Sequence, residues 1–342
     1  MAKAYDAALQ KGVEKKDGVT LDNAATPNEK LVSYDEVVTP PPPYDHIPLG
    51  EQRPNDGDMQ PLTELDQINR IERMATNFIF LFGGQQRGKT VVTSSMINFM
   101  ADAQMSGGQL SPFDVRRGGL DHGNALYRKI LRLFAERIFP GRTVLVGNED
   151  PIYLNVKFTP TNLRDKQELF LTFLEMPGDS LQRIDAPDGG RGDFPTGIDV
   201  FFRAQGTSMS FILITEHTRA AEDDQLLSSF IDYVTKENRG FENSRFLLLV
   251  SKWDDYDGGL GLEEFVKRNM RLTYSKLYDK KHSMHEFSIG NVGVADNKPF
   301  LREFNPIPAK VVLNWVYTNV YHKPLYRKGF WARLRSMFLK YS

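Results

Sequence analysis

The sequence predicts an α/β fold, a mostly parallel sheet covered on both faces by helices. Three observations predict it. From about Glu64 onward, apolar runs of five to seven residues alternate with longer helical stretches, and strands apolar at nearly every position belong to sheets buried on both sides. One of these runs passes directly into a glycine-rich loop and then a helix. The chain of 342 residues, 40% hydrophobic, is long enough to bury a full core and leave a tail or insertion outside it.

Taken in order, Asn77 to Phe82 (NFIFLF) is the first strand, and Thr90 to Met100 is a helix that opens right after the glycines. Asn124 to Phe139 is a second helix, with Leu126, Ile130, Leu131, Leu133 and Phe134 at helical spacing. Ile152 to Phe158 and Leu169 to Glu175 read as a hairpin that adds one antiparallel edge. Ser210 to Thr215 and Phe246 to Val250 are buried strands on either side of a helix at Asp224 to Thr235. Gly261 to Tyr278 reads as one helix, His285 to Ile289 as a strand, and Ala309 to Val320 as the closing helix. The stretch around 101–140 is long for a connection. It reads as an insertion that either presents a partner surface or lengthens the fold.

Residues 1–63 differ from the rest. They hold eight prolines, eleven acidic and six basic side chains and no sustained period, so a mildly acidic, mostly disordered tail is expected. Within it Pro41, Pro42 and Tyr44 resemble the PPxY ligands of WW domains, on a polyproline-preset run. Residues 64–321 form the folded domain. Residues 322–342 carry six Lys or Arg and no acid, with Phe330, Leu334, Met337 and Phe338 on one helical face beside Trp331. This basic amphipathic segment suits an anionic membrane surface, a protein partner or docking on its own domain. It is too short and too apolar to favour nucleic acid.

Bulk composition narrows the classes. The net charge is -1 and cysteine is absent, so disulfides and thiolate metal sites are excluded and a reducing compartment is expected. The start lacks the apolar stretch of a secretory signal. A cytoplasmic protein is expected, peripheral at the membrane if 322–342 binds lipid. His122 has no companions at metal-ligand spacing.

The chemistry concentrates in Gly83-Gly84-Gln85-Gln86-Arg87-Gly88-Lys89-Thr90. It matches GxxxxGK[ST] in full and lies between a strand and a helix, as a phosphate-binding P-loop must. Glycines let successive backbone N–H groups face phosphate oxygens, and the helix start adds its positive end. Lys89 reaches the β and γ phosphates and the Thr90 hydroxyl ligates Mg²⁺. The predicted class is therefore a P-loop NTPase three-layer sandwich.

Two later segments select the nucleotide. Glu175-Met176-Pro177-Gly178, after an apolar strand, resembles the DxxG motif of P-loop GTPases, and Ser251-Lys252-Trp253-Asp254 resembles their [NT]KxD motif. Ser288-Ile289-Gly290 resembles the weak fifth motif. In order and spacing, from about Asn77 to Tyr321, the chain resembles the translation-factor-related GTPases, and within them most closely the bacterial double-GTPase family. The resemblance implies GTP/GDP and Mg²⁺ as ligands. It implies that Glu175 approaches Mg²⁺ through water, that the Gly178 N–H senses the γ phosphate, and that Lys252 packs over the base. Asp254 then accepts from guanine N1–H and N2–H₂, and Ser288 and Ile289 meet the guanine oxygen. Glu175 and Ser251 depart from the usual Asp and Asn or Thr.

The same resemblance places a Mg²⁺-closing threonine before the second strand, and Thr143 is the candidate; Thr159 and Thr161 fit less well. After the DxxG glycine the family carries a water-orienting glutamine, and here stands Asp179. An anionic carboxylate is a poor substitute, so slow hydrolysis is expected. Gln85 and Arg87 are candidate catalytic groups beside Lys89 and Thr143, and Arg183 and Arg191 are loop arginines of the second switch. The function expected is a guanine-nucleotide switch controlling a protein partner through its switch region or tails. A P-loop ATPase and a nucleotide-binding scaffold without turnover are the alternatives.

Overall fold

The computed structural model describes residues 63–113, 121–138, 152–162, 164–175, 196–204, 207–237, 245–279, 283–295 and 298–326. The acidic tail before Thr63, the loops with Thr143, Gly178, Asp179, Arg183 and Arg191, and residues 327–342 lie outside them.

The first helix, α1 (Glu64–Glu72), starts where the sequence pattern changes. Thr63 and Asp66 cap it reciprocally, each side chain meeting the other's backbone N–H. There follow β1 (Asn77–Phe82), α2 (Lys89–Ala101), α3 (Ala103–Ser106), β2 (Gly108–Pro112) and α4 (Asp121–Ala135). Next come β3 (Ile152–Pro160), β4 (Leu169–Glu175), α5 (Thr196–Arg203), β5 (Ser208–Glu216), α6 (Ala220–Glu237) and β6 (Phe246–Ser251). The chain continues through α7 (Leu262–Asn269), α8 (Arg271–Asp279), β7 (Ser283–Phe287), β8 (Gly290–Ala295), β9 (Lys298–Phe304) and α9 (Pro306–Tyr321).

Seven strands form one mixed sheet in the order β2-β3-β4-β1-β5-β6-β7. Strands β4, β1, β5, β6 and β7 run parallel, and β3 runs against both β4 and β2. The expected β3–β4 hairpin is present, with Ile152 opposite Glu175. Side-chain alternation supplies both faces of the sheet. Phe78, Phe80, Phe82, Phe211, Leu213, Phe246 and Leu248 point to a core with α1, α5, α6, α7 and α8, while Ile79, Leu81, Ile212, Ile214, Leu247 and Leu249 point to a second core with α2, α4 and α9. The first is an aromatic cluster: Phe230 of α6 stacks on Phe82 at 3.8 Å and on Phe80 at 5.6 Å. Each such fully buried ring contributes about 1.5–3 kcal/mol, and β1 lies at the centre of the sheet between β4 and β5.

The structure departs from the sequence reading at four places. The 101–140 stretch is partly sheet, because β2 pairs antiparallel with β3 along Gly108–Pro112. The helix expected over Gly261 to Tyr278 breaks at Met270, whose backbone leaves helical geometry (φ -135°, ψ 58°). Asp224 accepts from the Leu272 and Thr273 N–H groups and so caps the new helix from α6. The β8–β9 hairpin and α5 stand where the sequence reading expected no element. The core also continues past Tyr321. Leu325 is 1% exposed, the Tyr326 hydroxyl donates to Ser106 O at 2.9 Å, and the Lys310 ammonium lies 4.3 Å from the centre of the Tyr326 ring. Burial pulls Lys310 down to about 8. Leu325 and Tyr326 are therefore docked on their own domain, while residues 322–324 are exposed.

Candidate functional site

The phosphate-loop sequence occupies the carboxyl end of β1. Gly83 is required there, since a Cβ would fall 2.2 Å from Ile214 O of the neighbouring β5. Gln86 and Gly88 take left-handed backbone (φ 61° and 95°), turning the loop back so that α2 begins at Lys89. Unlike α1, α2 has no side-chain cap on its first turn, and its N-terminal N–H groups keep their positive end for an anion. Lys89 is 9% exposed, and its ammonium donates to Gly83 O at 2.7 Å and Gly84 O at 2.8 Å. The loop carbonyls hold the charge at the loop mouth. Thr90 follows, half-buried, on the first turn; Gln85 is half-buried and Gln86 exposed.

The Arg87 side chain is engaged within the protein. Its guanidinium donates to Asp223 Oδ2 at 2.7 Å and Oδ1 at 3.2 Å, and to Gln85 O at 3.2 Å. Thr215 at the end of β5 also donates to Asp223 at 2.7 Å.

The base-end motifs meet this loop. Glu216, Ser251 and Phe287 are in register at the ends of β5, β6 and β7. Ser251 Oγ donates to Arg87 O at 3.0 Å, which ties β6 to the phosphate loop. Lys252 is left-handed (φ 54°) and its ammonium pairs with Glu216 at 2.9 Å. Burial raises the Glu216 carboxyl, but hydrogen bonds from Lys252 and Thr218, with the Lys252 and Arg87 charges, outweigh it and hold the group below the usual carboxylate range. Trp253–Asp255 form a single tight turn. Trp253 stacks on Tyr256 at 4.5 Å and meets Phe265 edge-on at 5.3 Å. Asp254 is exposed, and its backbone N–H donates to Ser288 Oγ at 3.1 Å. Ile289 is buried, and Gly290 (φ 129°) lies where a Cβ would strike Glu303 O at 2.1 Å.

The structure thus brings Gly83 to Thr90, Ser251 to Asp254, Ser288 and Ile289 to one end of the sheet. Glu175 closes β4, on the strand next to β1. Thr143 and Gly178 lie outside the described residues. The uncapped α2 start with Lys89 fits a polyphosphate, and Thr90 beside it suits Mg²⁺. Among the described residues no group of three or more His, Asp or Glu forms a metal site. Periodicity missed Thr215, Glu216 and Asp223. The polar Thr-Glu ending an otherwise apolar strand was the available signal for the first two.

No known family matches the chain, and no curated protein matches it. Among solved structures it is similar to the RocCORdC structure of Methanosarcina barkeri Roco2 bound to GDP. That match has 12% identity and a TM-score of 0.35, over 75% of this chain and 54% of the other. The chain spans about half the length of that structure. A likeness this distant carries no functional argument. Among the described residues no helix is long and apolar enough to cross a membrane.

Proposed function

We propose that the protein is a guanine-nucleotide-binding switch that hydrolyses GTP slowly. One observation carries this reading: the GxxxxGKT loop and the SKWD and SIG segments converge at one sheet end, joined by the Ser251–Arg87 and Asp254–Ser288 hydrogen bonds. An ordinary glycine turn at the end of β1 does not require the two later segments to meet it.

In this reading the loop N–H groups and the α2 terminus bind the phosphates. Lys89 exchanges its loop carbonyls for the β and γ phosphates. Thr90, Glu175 and Thr143 are the residues that would hold Mg²⁺. The ion supplies neutralisation of charge developing on the phosphates. Asp254 accepts two donors that guanine has and adenine lacks, which selects the base. Lys252 covers the base after exchanging Glu216. Asp179, in the water-orienting position, keeps intrinsic turnover slow. A γ phosphate contacted by Thr143 and Gly178 would distinguish the triphosphate from the diphosphate state and so control a protein partner.

Competition of GTP, GDP, ATP and ADP against a fluorescent guanine nucleotide tests the assignment, with phosphate release followed in parallel. Guanine nucleotides are expected to win. Equal or tighter ATP binding makes the protein an ATPase candidate, and binding without multiple turnover leaves a nucleotide-dependent scaffold.

A further inference from the structure

Arg87 and Asp223 form a largely buried ion pair, with side chains 16% and 5% exposed. We propose that Asp223 is a positioning residue of the phosphate loop, and that Arg87 acts as its neutralising partner and not as a ligand of phosphate. The inference rests on the nucleotide-site reading above and adds how the loop is kept fit for an anion.

The geometry is that of a two-pronged fork. Arg87 Nε and Nη2 each donate to one oxygen of Asp223, at 2.7 and 3.2 Å, and Nη1 donates to Gln85 O at 3.2 Å. The Arg87 carbonyl accepts from Ser251. One residue of the loop is therefore fixed through its side chain to α6 and through its backbone to β6. Among the described residues the arginine also approaches Glu222 at 3.6 Å, which is itself paired with Arg219 at 2.9 Å, and its charge acts on Glu216.

Asp223 lies directly against the loop. A Cβ on Gly84 would come within 3.1 Å of its Oδ1. A carboxylate this close to a polyphosphate loop would repel the ligand it serves, and a buried charge needs a partner. Arg87 answers both needs at once. Thr215 supplies the remaining hydrogen bond, at 2.7 Å. The pair is then a neutral brace, and the positive potential for phosphate comes from Lys89 and the start of α2.

The charge logic separates this role from its rivals. Arg87→Gln leaves the carboxylate uncompensated and is expected to weaken GTP, GDP and pyrophosphate binding about ten- to hundredfold, the range of coupling between charges in contact. Asp223→Asn loosens the brace but leaves no repelling charge, so it is expected to weaken binding less than R87Q does, by about threefold, and the double variant R87Q/D223N to recover most of what R87Q loses. Arg87→Lys keeps the charge without the fork and should fall between. Thermal unfolding without ligand is read alongside.

A double variant as weak as R87Q overturns the proposal, because Arg87 then meets the phosphate itself. It is also overturned if R87Q and D223N weaken binding alike, in step with their melting temperatures, since the pair is then only structural. If the parent protein binds pyrophosphate and ATP but not GTP, the guanine reading fails while the charge test still stands. If the parent binds no phosphate compound, both fail.

Discussion

The two ends of the candidate site are built differently. At the phosphate end Lys89 and Asp223 are buried and Gly83 abuts β5. At the base end the Lys252 side chain is 55% exposed, Asp254 is exposed, and the turn is held by Trp253 packing on Tyr256 and Phe265. The phosphate end is assembled by the same burial that folds the sheet, while the base end is a surface turn pinned at its flanks. Changes at the first should damage binding or folding. Those at the second should alter selectivity and leave the fold intact.

The largest expected effect is at the buried lysine. Lys89→Ala should weaken GTP binding by about 2–3 kcal/mol, the scale of hydrogen bonds to a charged group. Titration of a fluorescent nucleotide, with circular dichroism to verify folding, reads it; a folded variant with unchanged affinity removes Lys89 from the phosphate site.

Glycines sharpen the contrast. Gly83→Ala forces a Cβ onto a backbone carbonyl and should cost about 1–3 kcal/mol of stability. Gly259, near the base end, has open space around it but a φ of 67°, so Gly259→Ala should cost only the strain of left-handed backbone, about 1 kcal/mol. Equal losses in thermal unfolding would break the comparison.

Asp254→Asn turns a carboxylate with two acceptor oxygens into an amide with one. Preference for guanine over hypoxanthine and xanthine bases should shift by about 1–2 kcal/mol, with the melting temperature unmoved. A variant that discriminates as the parent does is incompatible with Asp254 as base reader. Ser251→Ala removes the bond joining the two ends and should weaken nucleotide binding by about 0.5–1.5 kcal/mol. If it acts additively with D254N, the two ends work independently.

The smallest effect is on pH dependence. Glu216 is held below the usual carboxylate range, so its contribution is present above that range and lost as pH falls through the depressed folded value. Because Lys252 is half in solvent, that contribution is about 0.2–1 kcal/mol. Glu216→Gln should lower stability at neutral pH by that amount and converge with the parent in acid unfolding. A constant gap down to strongly acidic pH assigns the effect to packing.

Local chemistry determined much of this by itself. Strands such as Phe246–Ser251 are apolar at almost every position, which only a sheet covered on both faces satisfies, so the α/β class and four of the five parallel strands were legible. Strand β7, at Ser283–Phe287 and not at His285 to Ile289, is less apolar and partly exposed. The GxxxxGKT stretch was legible too as a tight strand-to-helix loop, because its glycines answer local backbone demands: Gly88 needs positive φ and Gly83 needs close approach. Other features depend on contacts distant in sequence. Strand β2 has a partly exposed, weakly apolar pattern and exists because β3 offers an edge. The break at Met270 is stabilised by Asp224, from a different helix. Arg87 and Asp223 are 136 residues apart, and nothing in either neighbourhood marks them as a pair. A motif records what a loop must do locally. Which charge neutralises which is decided only when the sheet brings β1, β5 and α6 together.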